Sequence, residues 1–376
     1  MIRSCSRNRP CLRPFAPVTF ETVLDMSSTL GFRSSGMQLL HSVWEAPSLG
    51  TLARQKLPVD LRQRLLLWWF GLTVIGQLWL WPIYLIAITQ SLAIAVVLAS
   101  YMVWVLWGPG KHAACNEAPY HAPWRHLPVW QLMGDYLSAR LIKTAELDPK
   151  GRYLFAAYPH GISAISGWVC FATEAAGFSK LFPGIRPWCM TLASNFKCPG
   201  IREYCLMYGL RSCERRSCVN MLAKPGSAIV LFPGGAAEAL ATQQGRFNLI
   251  LRRRKGFVRI ALQTGASLVP VFGFGESDLF ETYVPPPGSL LAKAQRFSHR
   301  CWGTSQPLFK GSGIFADWGL LPFRAPLATV VGAPIPVQAM DPRAVTPAEF
   351  EAAVDELHAK YCTGGARSGA GADRAM

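Results

Sequence analysis

The chain is short of acid. Its 376 residues carry 38 lysines and arginines but only 22 aspartates and glutamates, a formal net charge of +16. Charge of either sign is scarce, at 16% of residues against 51% hydrophobic, and the mean hydropathy is positive. That balance is greasy for a soluble protein and points to membrane association. No zinc-finger, helix-turn-helix or basic-zipper pattern accompanies the positive charge. Nucleic acid is therefore the weakest of the partners such a charge could serve, behind an anionic lipid surface or a phosphate-bearing substrate. The 11 cysteines form an odd, scattered set with no CxxC pair. This disfavours a disulfide framework and fits a reduced, cytosol-facing compartment. The chain has neither the lysine of a P-loop nor the glycine spacing of a dinucleotide fingerprint. His112, Cys115, His121 and His126 are irregularly spaced in a proline-rich stretch, so no metal site is expected.

The longest absence is local. No charged side chain occurs from Leu65 to Gly110. One bilayer crossing takes about 20 residues at 1.5 Å each, so the stretch has the length for two. Gln90-Ser91 marks a polar midpoint, Pro82 can kink the first half, and tryptophans at 68, 69, 104 and 107 sit near the ends. Arg62, Arg64 and Lys111 flank it, which favours both termini on the cytosolic side. Residues 61–110 are therefore expected to form a transmembrane or re-entrant helical hairpin. Residues 1–60 read as a basic, disordered extension, with an organelle transit peptide as the alternative for its arginine-rich start. Residues 111–130 read as an interfacial linker, 131–362 as the globular domain, and the Gly/Ala-rich 363–376 as a disordered tail.

Within 131–362, apolar runs at Tyr153–Ala157, Ala228–Phe232, Ser267–Phe274 and Ala328–Val331 alternate with helical or Gly/Pro segments. The alternation predicts an α/β fold with a mixed or largely parallel sheet and flanking helices. Thr346-Pro347-Ala348-Glu349 is a capping box opening a helix to about Tyr361.

Three constellations could carry chemistry. His160 follows an apolar strand between Pro159 and Gly161, where glycine lets the backbone approach a substrate closely. Imidazole titrates near pH 6.5, so it can take a proton from an attacking hydroxyl at cellular pH. A structural, hydrogen-bonded histidine is the competing reading. Next, Ala228–Phe232 runs through Pro233 into Gly234-Gly235 and a short helical Ala-Ala-Glu, a turn whose amides can hold an oxyanion. Last, Arg252-Arg253-Arg254-Lys255 lies between two apolar elements, where cations can grip phosphate; Arg202 and Arg215 are further candidates.

Further motifs follow in order: Thr173-Glu174-Ala175, Phe182-Pro183-Gly184-Ile185-Arg186-Pro187, Asn195-Phe196, Arg202-Glu203-Tyr204, Gly256-Phe257, Gly265, Val269-Pro270, Phe274-Gly275-Glu276 and Leu321-Pro322-Phe323. Together with the histidine turn, the paired glycines and the uncharged stretch, they resemble the diacylglycerol acyltransferase type 2 family over roughly residues 65–358. That family also contains monoacylglycerol and wax-alcohol acyltransferases. The resemblance implies a glycerolipid acyltransferase-like fold and an endoplasmic-reticulum enzyme facing the cytosol, with lipid-droplet or plastid association as alternatives. Its substrates would be acyl-CoA and diacylglycerol, without a cofactor, and self-association is left open. It further implies His160 as the base, with Glu174 or Glu238 orienting the imidazole. Substrate contacts would come from Pro159, Gly161, Asn195, Arg202, Glu203, Arg215, Gly234, Gly235, Arg252, Arg253, Arg254, Lys255, Gly256, Phe257, Pro270 and Glu276. Ile165 stands where wider glycerolipid acyltransferases carry an orienting aspartate, and Tyr158 where animal members carry a histidine. A monoacylglycerol or long-chain alcohol acceptor is the alternative activity, and a non-catalytic lipid-binding membrane protein is the alternative class.

Overall fold

The computed structural model describes residues 61–362 except 75–76, 117–121, 303–306 and 314–317. The expectations for 1–60, for 363–376 and for His121 lie outside the described residues. The uncharged stretch forms three helices: α1 (Leu61–Val74), α2 (Gln77–Gln90) and α3 (Leu92–Leu106). The break between α2 and α3 falls at Ser91, where the polar midpoint put it, and Pro82 lies inside α2 without ending it. With 14 and 15 residues, α2 and α3 are about 21–22 Å long, short of the ~30 Å of a hydrocarbon core. No described helix is long and apolar enough to cross a membrane, so the transmembrane form of the expected hairpin is not found. Helix α1 joins the globular part instead. Its Leu66, Leu67 and Phe70 are buried, and the Phe70 ring meets Trp168 at 5.3 Å and Trp130 at 6.2 Å.

The domain is a seven-stranded sheet in the order β1-β9-β6-β2-β5-β3-β4. The strands are β1 (Arg140–Lys143), β2 (Tyr153–Tyr158), β3 (Arg186–Thr191), β4 (Arg211–Ser212), β5 (Ser227–Leu231), β6 (Ser267–Phe274) and β9 (Ala328–Val331). Neighbours run parallel except β6 and β9, so the sheet is mixed and mostly parallel, as expected. A separate antiparallel ribbon joins β7 (Glu281–Tyr283) to β8 (Leu308–Lys310).

Helices cover both faces, which is why the central strands read as unbroken apolar runs rather than alternating ones. All six residues of β2 are buried. On one face Phe155 meets Phe171, Phe178 and Phe182, in a core that includes Met133 and Tyr136 of α4 (Pro128–Tyr136) and Tyr204 of α5 (Ile201–Met207). On the other, Leu154, Ala156 and Tyr158 pack with α6 (Arg215–Met221), α8 (Gly256–Thr264) and α10 (Pro347–Cys362). The capping box of α10 is formed: Thr346 Oγ1 accepts the Glu349 N–H at 3.3 Å, and Glu349 Oε2 accepts the Thr346 N–H at 2.8 Å. Two further helices are α7 (Gly235–Ala241) and α9 (Leu290–Trp302). The consequence for function is placement: β2 sits between β5 and β6, and the C-terminal ends of all three point the same way. In open parallel sheets that end of the strands is where ligands bind.

Candidate active site

His160 lies two residues beyond the end of β2. A tight turn follows, closed by the Ala164 N–H donating to His160 O at 3.0 Å. Gly161 and Ala164 take φ of +59° and +51°. The second is unusual for a residue with a Cβ, and such left-handed positions cost about 1–2 kcal/mol unless glycine fills them. The His160 ring is half-buried and stands edge-on to Phe232, with centroids 5.7 Å apart. Its Nδ1 lies 3.0 Å from Gly161 O. A carbonyl oxygen only accepts, so Nδ1 carries the proton and Nε2 keeps its lone pair. Burial pulls the imidazole below its ordinary value, with the Gly161 carbonyl opposing. The ring is therefore neutral and basic at Nε2 near pH 7. Within the turn, the N–H groups of Gly161 and Ile162 have no acceptor among the described residues.

Two buried carboxylates approach this turn from the neighbouring strands. Glu238, in the first turn of α7 after β5, accepts the His160 N–H at 3.0 Å and the Ile250 N–H at 2.8 Å. Glu276, just past β6, accepts the Ile165 N–H at 2.9 Å and the Ser166 N–H at 2.8 Å. Both side chains are 1% exposed, and burial pushes each carboxyl up to about 7 against the pull of those N–H donors. Glu238 thus holds the main chain of His160 and not its ring. Glu174 does neither. It pairs with Arg125 at 3.1 Å and accepts from Ser179 N–H and Oγ–H at 3.0 and 2.7 Å. Burial pushes its carboxyl up, but those bonds outweigh burial and hold it below its ordinary value. The expected ring-orienting acid is replaced by the Gly161 carbonyl.

The remaining candidates separate into groups. Pro159, Gly161, Gly234 and the buried carboxylates surround the histidine turn. The Gly235 N–H is already given to Phe232 O at 3.0 Å, so it is engaged in shaping the turn. Arg254 lies nearby, with Nη2 donating to Gly234 O at 3.4 Å. Arg252 and Arg253 are exposed, while Lys255 pairs with Asp355 at 2.6 Å. Gly256 starts α8, and Phe257 is core, 5.0 Å from the Tyr361 ring. Pro270 is buried mid-strand in β6 opposite Ala156. Asn195 donates to Thr191 Oγ1 at 2.9 Å, and Arg215 to Gln263 Oε1 at 2.8 Å. Tyr158 is buried in the opposite core, and burial raises its hydroxyl well above its ordinary value, so it stays protonated.

Arg202 and Glu203 face the apolar helices. The Arg202 guanidinium lies 4.7 Å over the Trp104 ring and donates to Gly110 O at 3.2 Å. Glu203 accepts from Arg202, from the Tyr101 hydroxyl and, at 3.0 Å, from the Gly200 N–H. These contacts pin α3 to the start of α5. Glu203→Ala is therefore expected to lower the thermal midpoint by several degrees, leaving the KM for an acyl donor unchanged. Kinetics and a melting curve on one preparation check this; a raised KM with an unchanged midpoint would return Glu203 to substrate contact. Sequence reasoning missed Arg125 and the Ile165 and Ser166 amides, which carry no pattern of their own, and took Phe232 only as the end of a strand.

The sequence profile of the diacylglycerol acyltransferase family matches residues 84–365. The chain belongs to that family. It is 38% identical over 290 residues to diacylglycerol O-acyltransferase 2B of Umbelopsis ramanniana, covering 77% of this chain and 82% of that one. It is 42% identical over 271 residues to human 2-acylglycerol O-acyltransferase 3, covering 70% and 76%. Among solved structures, the 1-acyl-sn-glycerophosphate acyltransferase PlsC of Thermotoga maritima aligns at 12% identity and a TM-score of 0.32, over 62% of this chain and 73% of that one. At that distance the likeness carries no argument. The family match spans α3, the histidine turn and both carboxylates, so the site just described lies wholly inside it.

Proposed function

We propose that this chain transfers a fatty acyl group from acyl-CoA to the free hydroxyl of diacylglycerol, giving triacylglycerol, with His160 as general base. Beside family membership, one observation carries the reading: the Nδ1–H bond to Gly161 O, which leaves the lone pair on Nε2. In this mechanism Nε2 takes the hydroxyl proton as the acceptor oxygen attacks the thioester carbonyl. The tetrahedral intermediate then collapses, and the departing CoA thiolate recovers the proton from the imidazolium. The Gly161 and Ile162 amides, which have no acceptor among the described residues, would serve as donors for the oxyanion. A thioester is already activated, so neither a covalent nucleophile nor a cofactor is required. The buried thiols of Cys170 and Cys189, pushed up to about 12, would be poor nucleophiles.

Arg252 and Arg253 are exposed, and this reading assigns them to the CoA phosphates. Arg252→Ala/Arg253→Ala is expected to raise the KM for acyl-CoA about tenfold, from roughly 1.4 kcal/mol of lost charge-assisted bonding. The KM for the lipid acceptor should stay within twofold; an unchanged acyl-CoA KM rules the assignment out. Membrane attachment rests on α2 and α3, which expose Ile83, Leu85, Ile86, Leu92, Val96, Val97 and Val103. Helices this short and this apolar suit insertion into one leaflet, with the sheet domain on the cytosolic side of the endoplasmic reticulum.

The human relative named for 2-acylglycerol supports a second acceptor, since both lipids offer a hydroxyl on an apolar body. The deciding assay uses labelled acyl-CoA and membranes free of endogenous activity, offering diacylglycerol, monoacylglycerol and a long-chain alcohol in turn. Triacylglycerol is expected to form fastest. No product from any acceptor would leave a lipid-binding protein without catalysis.

A further inference from the structure

The turn that bears His160 is held at both ends by carboxylates, and only one of them touches the histidine itself. Glu238 takes the His160 N–H from the β5 side. Glu276 takes the Ile165 and Ser166 N–H groups from the β6 side, where the chain leaves the turn. Between those points lie Gly161 and Ala164, both at positive φ. A Cβ on Gly161 would fall 2.5 Å from Glu276 Oε1 and 2.7 Å from its Cγ. The turn is thus moulded around the Glu276 side chain, and the absent Cβ is the room the carboxylate occupies. Gly275, at φ +88° with a Cβ position 2.1 Å from Pro326 O, fixes the backbone that aims Glu276 there.

We infer that Glu276 is a positioning residue. By holding the Ile165 and Ser166 amides and filling the space at Gly161, it sets the shape of the 160–165 turn and so the place of the His160 imidazole. The inference rests on the reading of His160 as general base. Direct substrate contact is the competing role, and the geometry opposes it. Glu276 is 1% exposed and both its oxygens already serve main-chain donors. A purely stabilising role is also a poor fit. Among the described residues Glu276 forms no ion pair, and a buried carboxylate without a cation costs stability that an apolar or amide side chain would not. Such an arrangement persists when the geometry it enforces is what matters. Its bonds to Ile165 and Ser166 also hold the left-handed Ala164 in place from the residues that follow it.

The test is a double-mutant cycle on the full chain in membranes, with kcat, both KM values and thermal midpoints measured for Glu276→Gln, Glu276→Ala, His160→Ala and His160→Ala/Glu276→Gln. Gln keeps the shape and one acceptor, Ala keeps neither. Glu276→Gln should lower kcat by about 10-fold and Glu276→Ala by about 100-fold, because a displaced catalytic group loses rate steeply with distance. Both KM values should stay within twofold, and the Gln variant should melt no lower than wild type. The double variant should be no slower than His160→Ala alone, since a residue acting only through the imidazole has nothing left to position. An unchanged kcat, a loss seen mainly in KM, a loss that follows the thermal midpoint, or an additive loss in the double variant each overturns the inference. Near-normal turnover by His160→Ala is a different failure, that of the general-base reading, and the single variant reports it separately.

Discussion

His160→Ala is expected to lower kcat by about 10²–10⁴-fold while the protein stays folded. The loss should be in kcat, because the ring's tie to the fold is a bond to its own neighbour's carbonyl and an edge contact with Phe232. Labelled acyl-CoA turnover on quantified protein measures it, and a rate within tenfold of wild type ends the general-base reading. The pH profile gives a second check. Burial lowers the imidazole from 6.5, so His160 alone would place the acid limb of kcat/KM below that value. Glu238 and Glu276, pushed up to about 7, take protons first as pH falls. Protonation turns one of the two accepting oxygens of each carboxylate into a hydroxyl, which weakens the N–H bond it accepts, so the turn loosens before the imidazole takes its proton. The wild-type limb should therefore be steeper than one proton per pH unit, and Glu276→Gln should make it shallower. The stability sign is opposite. A carboxyl whose folded value is raised favours the fold most below its unfolded value near 4.5 and loses that contribution as pH rises through about 7. The acid-side loss of activity is thus expected without loss of fold, and a melting curve at each pH separates the two.

The sheet was legible because fully buried parallel strands have a distinctive signature. Tyr153–Tyr158 is buried throughout, and so is β6 after Ser267; both lack the polar alternation of a half-exposed strand. The break at Ser91 was legible too, because a lone polar pair in so long an uncharged run marks the place where a helix can end and meet water. The partition of the first helix was not. Leu66, Leu67 and Phe70 look the same in a bilayer as they do against Trp130 and Trp168, so hydropathy alone gave α1 to the hairpin. Residue types at the site were easier to find than their roles. Arg202 and Glu203 stand in a family motif, yet what they serve is the Tyr101 and Trp104 side of α3, about a hundred residues away in sequence. Dyads are usually side chain to side chain, so the sequence alone points to an acid on the His160 ring. Here Glu238 and Glu276 bind amides, and an amide carries no sequence signal.

The paired glycines should prove unequal. Gly234 has ordinary helical angles, φ −65° and ψ −38°, so its backbone makes no demand for glycine. Its demand is space, because a Cβ there would lie 1.9 Å from Glu238 Cδ and within 2.3 Å of both carboxylate oxygens. Gly235 is the reverse case: φ is +55° and nothing lies within 4 Å of where a Cβ would point. Gly234→Ala must push the carboxylate off both the His160 and Ile250 N–H groups, leaving a buried charge and two buried amides without partners. A displacement of about 1 Å at the base costs on the order of 10²-fold, and that loss in kcat is expected. Gly235→Asn meets only the left-handed requirement, which asparagine satisfies better than other side chains, and it should keep turnover within about threefold. Its N–H, which shapes the turn through Phe232 O, survives the change. Equal losses in the two variants would mean that the turn serves the oxyanion through its amides and that Glu238 is incidental. A loss confined to Gly234→Ala ties the glycine pair to the histidine through the carboxylate lodged beside it.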